Sequence, residues 1–168
     1  MGEGRVLYAD QDHVHVLRYV GDIRHPLAPS IGRFVDTLLE RFADEELVVD
    51  LSEVDTIDST NLGEIARMAI LLAERNGKRP AIVSTRYEIN QILRSMALDE
   101  VFDLRTESAM NADGEPIPTI AVTKELSLQV ILAAHRRLMQ MSEENRKKFA
   151  QVVELLELEL KDMSKAVS

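Results

Sequence analysis

Asp58, Ser59 and Thr60 place one carboxylate and two hydroxyls side by side, where an apolar run gives way to a helical pattern in VVDLSEVDTIDSTNLGEIARMAILLAER, residues 48–75. Such a corner supports two kinds of chemistry. A side-chain oxygen there can accept from the N–H groups that a first helical turn leaves without intrahelical partners, so Asp58, Ser59 or Asn61 can cap the helix. A hydroxyl there can also carry a phosphate, because those N–H groups and the positive end of the helix dipole meet anionic oxygens favourably. Residue types and spacing leave both uses open.

Other groupings offer less. His13 and His15 alternate, so on one strand they would share a face as two metal ligands do, but no third ligand accompanies them and no metal is assigned. Asp44, Glu45, Glu46, Asp50, Glu53 and Asp55 do not follow a calcium-loop spacing and read as a solvated acidic face. Ser59, Asp58 and His135 have the residue types of a hydrolytic triad without a Gly-x-Ser-x-Gly elbow. No glycine-rich phosphate loop is present, and nothing assembles nucleophile, base and oxyanion donors at a recognisable spacing. The chain reads as non-catalytic and without a cofactor.

The composition agrees. Zero cysteines remove disulfides, thiolate metal sites and cysteine nucleophiles, and fit a cytoplasmic protein. A net charge of -9 argues against nucleic acid as a partner, since phosphates would be repelled. Residues 1–119 hold 12 Lys+Arg against 22 Asp+Glu, hence -10, whereas residues 120–168 hold 8 against 7, hence +1. An acidic body with a differently built C-terminal piece is expected. No apolar run approaches the ~20 residues that span a bilayer, so no direct membrane insertion is expected. MGEGRVLYAD has an early acid and no long apolar stretch, unlike a secretory signal, and lacks the Ser or Thr of a myristoylation site.

The elements that must position the corner follow from periodicity. Residues 6–9 and 13–20 read as strands, with a tight turn at Gln11-Asp12 that makes them a hairpin. Pro26 and Pro29 announce a helix carrying Ile31, Phe34, Val35, Leu38 and Leu39. Residues 47–51 form a short apolar strand, 61–76 a helix stopped by Gly77, 81–83 a strand, 87–98 a helix and 101–104 a final strand. The order β-β-α-β-α-β-α-β implies an α/β fold with a mainly parallel or mixed sheet packed by helices. Residues 107–119, with Asn111, Asp113, Gly114, Pro116 and Pro118, read as a loop. Two amphipathic helical segments follow, one striped by Leu126, Val130, Ala134, Leu138 and Met141, the other by Phe149, Val152, Val153, Leu156, Leu160 and Met163. A helix start at Ser142 between them makes the tail either a helical hairpin or one kinked helix.

The corner resembles the signature of the STAS domain, the fold of bacterial anti-sigma-factor antagonists. That pattern is an apolar strand ending in Asp-Leu-Ser, then an apolar residue before Asp-Ser-Ser/Thr-Gly-Leu-Gly, then a helix. Here Val48-Val49-Asp50-Leu51-Ser52 and Ile57-Asp58-Ser59-Thr60-Asn61-Leu62-Gly63 match it, with Asn61 in place of a glycine. The resemblance covers roughly residues 5 to 106. It implies a STAS-like domain over 1–106, a linker over 107–119 and an added helical extension over 120–168. It implies that Ser59 is the phosphoacceptor, with Thr60 the weaker alternative and Asp58, Asn61, Leu62 and Gly63 as neighbours. The implied partners are an anti-sigma factor or switch serine kinase and a metal-dependent phosphatase of the PP2C type, so the implied function is a phosphorylation-switched regulator. Within the same family, an accessory subunit of an ABC-type membrane transport complex is the alternative. A phosphorelay receiver using Asp50 is a distant third, lacking the acidic pair and the lysine that receivers need.

On a helical wheel, Leu62, Ile65, Ala66, Ala69, Leu72 and Ala73 share the core side, while Glu64, Arg67, Met68, Leu71 and Arg75 share the opposite one. Two large apolar residues among charges suit a partner face, unless the C-terminal helices cover them. Those helices could pack on the body, on each other, on a second copy or on a partner.

Overall fold

The computed structural model describes residues 2–42, 44–107 and 113–167. Asn111, part of the expected loop, lies outside them. Six strands form one sheet in the order β5-β4-β3-β2-β1-β6, where β1 is Arg5–Gln11, β2 Val14–Ile23, β3 Glu46–Ile57, β4 Ala81–Val83, β5 Asp103–Arg105 and β6 Glu115–Pro116. The β1–β2 hairpin turns on Asp12 and His13, both at positive φ (49° and 69°), one residue beyond the expected turn. Two left-handed residues give a turn whose twist matches that of the flanking strands. β2, β3, β4 and β5 then pair in parallel, so the sheet is mixed.

Parity along β3 explains the layering. Leu47, Val49 and Leu51 face a contiguous core with Leu17 and Tyr19 of β2 and Ile82 of β4. The same core takes Ile31, Val35, Leu38 and Leu39 from helix α1 (Ala28–Phe42), and Leu62, Ile65, Met68 and Leu72 from α2 (Ser59–Asn76). Ile89 and Leu93 of α3 (Tyr87–Ser95) complete it. Val16, Val48, Ala81 and Val83 form only a small cluster of their own. β3 is longer than its apolar run suggests, because β2 continues to pair with it through two register irregularities as far as Ile57. That extension delivers the chain to the Asp58 corner. α3 ends earlier than expected, as Ala97 turns left-handed (φ 65°) before a short 3-10 turn.

The C-terminal segment forms α4 (Lys124–Met141) and α5 (Glu143–Val167), which pair as a helical hairpin broken at Ser142. Ser142 is extended, and its hydroxyl accepts from Asn145 N–H at 3.0 Å to start α5. Residues 115–120 of the connection into the hairpin are held against the body rather than looped free. β6 pairs with Leu7 and Tyr8 of β1, and Ile120 N–H donates to Ser30 Oγ at 3.1 Å. The chain is thus led across the start of α1 and onto α2. No helix among the described residues is long and apolar enough to cross a membrane.

Candidate functional site at the Asp58–Gly63 corner

Asp58 is the N-cap of α2, with an extended backbone, and its Oδ1 accepts from Asn61 N–H at 3.0 Å. Asn61 Nδ2 donates to the same oxygen at 2.9 Å. Of the capping candidates the structure selects Asp58, which leaves the Ser59 hydroxyl to other work. Asn61 has an ordinary helical backbone and is buried, so the amide replaces the motif's glycine by fastening the cap rather than by adopting a special angle. At the other end Gly77 (φ 71°) closes the helix with its N–H on Ala73 O, as expected.

Ser59 is half-buried while Thr60 is only 4% exposed, so the first hydroxyl is the accessible one. Ser59 Oγ lies 2.8 Å from His135 Nε2 of α4. His135 Nδ1 in turn lies 2.7 Å from Ile131 O. A carbonyl can only accept, so Nδ1 carries the proton, and in the neutral ring Nε2 accepts from the Ser59 hydroxyl. His135 is buried and set edge-on against Phe149 of α5. The pair has two triad residue types but not the triad, since Asp58 is committed to Asn61 and a backbone carbonyl orients the imidazole.

α4 rests directly on the first turn of α2. A Cβ at Gly63 would lie 2.5 Å from Ala134 O and 2.7 Å from Ala134 Cβ, so only glycine admits this approach. Arg137 Nη1 donates to Gly63 O at 3.2 Å and lies 3.8 Å from Glu64 Oε1. Burial pulls the Arg137 guanidinium below its ordinary range, with Glu64 opposing that and Arg67 adding to it. For Arg67 burial also acts downward, but Glu64 and Asp36 outweigh it and hold the guanidinium above its ordinary range. Its Nε donates to Glu64 at 3.1 Å, and its other nitrogens donate to Asp36 at 2.6 Å and Gly32 O at 3.0 Å.

These contacts correct the outward face read from the helical wheel. Met68, expected to face a partner, is 1% exposed and belongs to the core, and Glu64 is buried beside Arg67 and Arg137. Leu71 packs partly against the core, and Arg67 is occupied by α1. Only Arg75 is exposed, with Nη1 on Leu39 O at 2.7 Å. Ala73, expected in the core, is exposed. The wheel assumed one buried side, whereas α2 is covered by the sheet, by α1 and by α4. His135 entered the sequence reading only through a triad without its elbow, and no spacing rule links residues so distant in the chain.

The remaining candidates lie elsewhere. His13 and His15 meet on Glu45, His13 Nδ1 at 2.9 Å and His15 Nε2 also in contact. Asp50 is buried within β3, accepting from Ser52 N–H at 2.9 Å and lying 3.4 Å from Arg18 Nε. A receiver's acceptor must be exposed at a strand end, and the antiparallel β1–β2 pair is foreign to that fold.

Comparison with known proteins agrees with this architecture. A family model described as STAS domain matches residues 6–111. A crystal structure of an anti-sigma factor antagonist from Mycobacterium paratuberculosis is similar at 24% identity and a TM-score of 0.55, over 62% of this chain and 87% of that one. An NMR structure of the protein TM1081 is similar at 24% identity and a TM-score of 0.52, over 58% of this chain and 77% of that one.

Proposed function

The chain belongs to the STAS-domain family, and on that premise we propose that it is a phosphorylation-switched protein-binding regulator, an antagonist that captures an anti-sigma factor while Ser59 is unmodified. The observation that carries this reading is the half-buried Ser59 hydroxyl at the N-terminus of an 18-residue helix, freed from capping by Asp58. A switch kinase would place the phosphate there and a metal-dependent phosphatase would remove it, and the setting of such partners is the cytoplasm. The structure of the antagonist from Mycobacterium paratuberculosis supports the reading at the level of fold.

The physics of the switch is local. A phosphate adds about -1.5 to -2 charges and three acceptor oxygens. The first turn of α2 and its dipole can accommodate that charge, so the domain stays folded. A partner seated on the corner would have to bury the dianion beside Asp58, and an unpaired buried charge is strongly unfavourable. Modification therefore changes binding without changing the fold. The site binds rather than catalyses in this reading, because a backbone carbonyl and not a carboxylate orients the His135 ring, and Asp58 is committed to Asn61.

Bait proteins carrying Ser59→Ala and true phosphoserine at position 59 test the proposal in lysate of the native cell. A protein retained by the first and lost by the second is expected, and mass spectrometry names it. Recovery of the same proteins by both reduces Ser59 to a structural hydroxyl. A transport ATPase among proteins bound regardless of phosphate would favour the transport-subunit reading instead.

A further inference from the structure

We propose that the α4–α5 hairpin is an internal occupant of the partner surface around Ser59, and that α4 displays the chemistry of the partner element it excludes. This rests on reading the Ser59 corner as a partner surface. The hairpin lies beyond the matched domain, which ends at residue 111. It contacts two residues of the motif, Ser59 and Gly63, and Glu64 beyond it. Ala134 sits on Gly63, His135 meets the Ser59 hydroxyl, and Arg137 takes Gly63 O and approaches Glu64.

The hairpin carries buried residues of its own, Leu128, Leu132, Ala134, Leu138, Phe149 and Val153, and Met141 at the end of α4 packs against the core of the body. Polar contacts supply much of the seam, including Asn145 Nδ2 on Met96 O at 2.9 Å at the end of α3. A groove of about 660 Å³ stays open between α1, α2 and α4, so the seam is not closed. A phosphate on Ser59 Oγ replaces the hydrogen that the hydroxyl donates to His135 Nε2 across 2.8 Å. Phosphorylation therefore breaks this anchor of the hairpin.

The partner's chemistry follows from what α4 presents. Its docking element is a helix with a small residue to lie on Gly63, a hydrogen-bonding side chain next to it for the serine hydroxyl, and a guanidinium one turn on for Gly63 O and Glu64. Such a helix must displace α4 to bind, so the hairpin sets a threshold for partner capture. His135→Ala lowers that threshold, whereas Gly63→Ala closes the site to α4 and to the partner alike.

Amide hydrogen exchange on the purified full chain tests this with no partner present. Residues 124–141 are compared in the wild type, in Gly63→Ala and in the form with phosphoserine at position 59. The added methyl meets only Ala134 among its three nearest atoms, and alanine is the better helix former, so the body gains while the seam is forced apart. Exchange of α4 at least about tenfold faster in both forms is expected, with β3 and β4 as protected as before. Wild-type protection of α4 in either form overturns the proposal. So does joint loss in α4, β3 and β4, which would make the hairpin inseparable from the body. A released hairpin with phosphate-insensitive baits sinks the switch, and an immobile hairpin with phosphate-sensitive baits sinks only the occupant.

Discussion

Ser59 Oγ and His135 Nε2, 76 residues apart in the chain, lie 2.8 Å from one another, and the second nitrogen of the same ring is held by Ile131 O. This fixes the tautomer as well as the contact. In the neutral ring the proton resides on Nδ1. Nitrogen NMR of a protein labelled at histidine is expected to show His135 with a protonated Nδ1 and a bare, hydrogen-bonded Nε2. Ser59→Ala should shift the Nε2 resonance and leave Nδ1 in place. A ring protonated on Nε2 would contradict the hydrogen-bond chain described here.

Met68 separates a core role from a surface one. With 1% exposure inside the contiguous core, Met68→Ala is expected to destabilise the domain by about 2–4 kcal/mol through lost burial and the cavity left behind. Leu155→Ala on α5, where the side chain is 60% exposed, should change stability by less than about 0.5 kcal/mol. Urea unfolding of the two variants gives the comparison. Equal effects would return Met68 to the outward face.

Glu45 supplies a pH dependence of known sign. The hydrogen bond with His15 holds its carboxyl below the ordinary 4.5, burial works in the opposite direction, and His13 adds to the depression. A carboxyl depressed on folding contributes stability that is present above its unfolded value and is lost as pH falls through the folded one. Glu45→Gln cannot titrate there. The stability difference between wild type and this variant is therefore expected to hold near pH 6 and to shrink as pH drops from about 4.5 toward 3, followed by urea unfolding across that range. A difference that grows on acidification would reverse the assignment.

The legible parts of the chain were those governed by local chemistry. Gly77 marked the end of α2, the apolar run around Val49 marked a strand, and Asp-Ser-Thr marked a helix start. The family pattern added the STAS-type fold. The misreadings of α2 and α4 share one physical cause, which is coverage from more than one side. Met68 looked outward because periodicity offers a single core direction, yet α2 is wrapped by sheet and helices together. α4 likewise buries Leu128, Leu132 and His135, while Leu126 and Val130 from its expected stripe line the groove. The reach of β3 to Ile57 was hidden because its outer half carries Ser52, Glu53, Asp55 and Thr56, polar residues that strand pairing tolerates at a sheet's end. Docking of the hairpin onto Gly63 left only one trace in the sequence, a glycine inside a helix.

The central claim is that the state of the Ser59 hydroxyl decides whether a protein partner binds. Its most direct measurement is the affinity of the partner recovered by the Ser59→Ala bait for two purified full-length forms, one with serine and one with phosphoserine at position 59. The account predicts binding at least about tenfold weaker to the phosphorylated form, the equivalent of about 1.4 kcal/mol, with the fold of both forms unchanged by circular dichroism. Equal affinity for the two forms would contradict it.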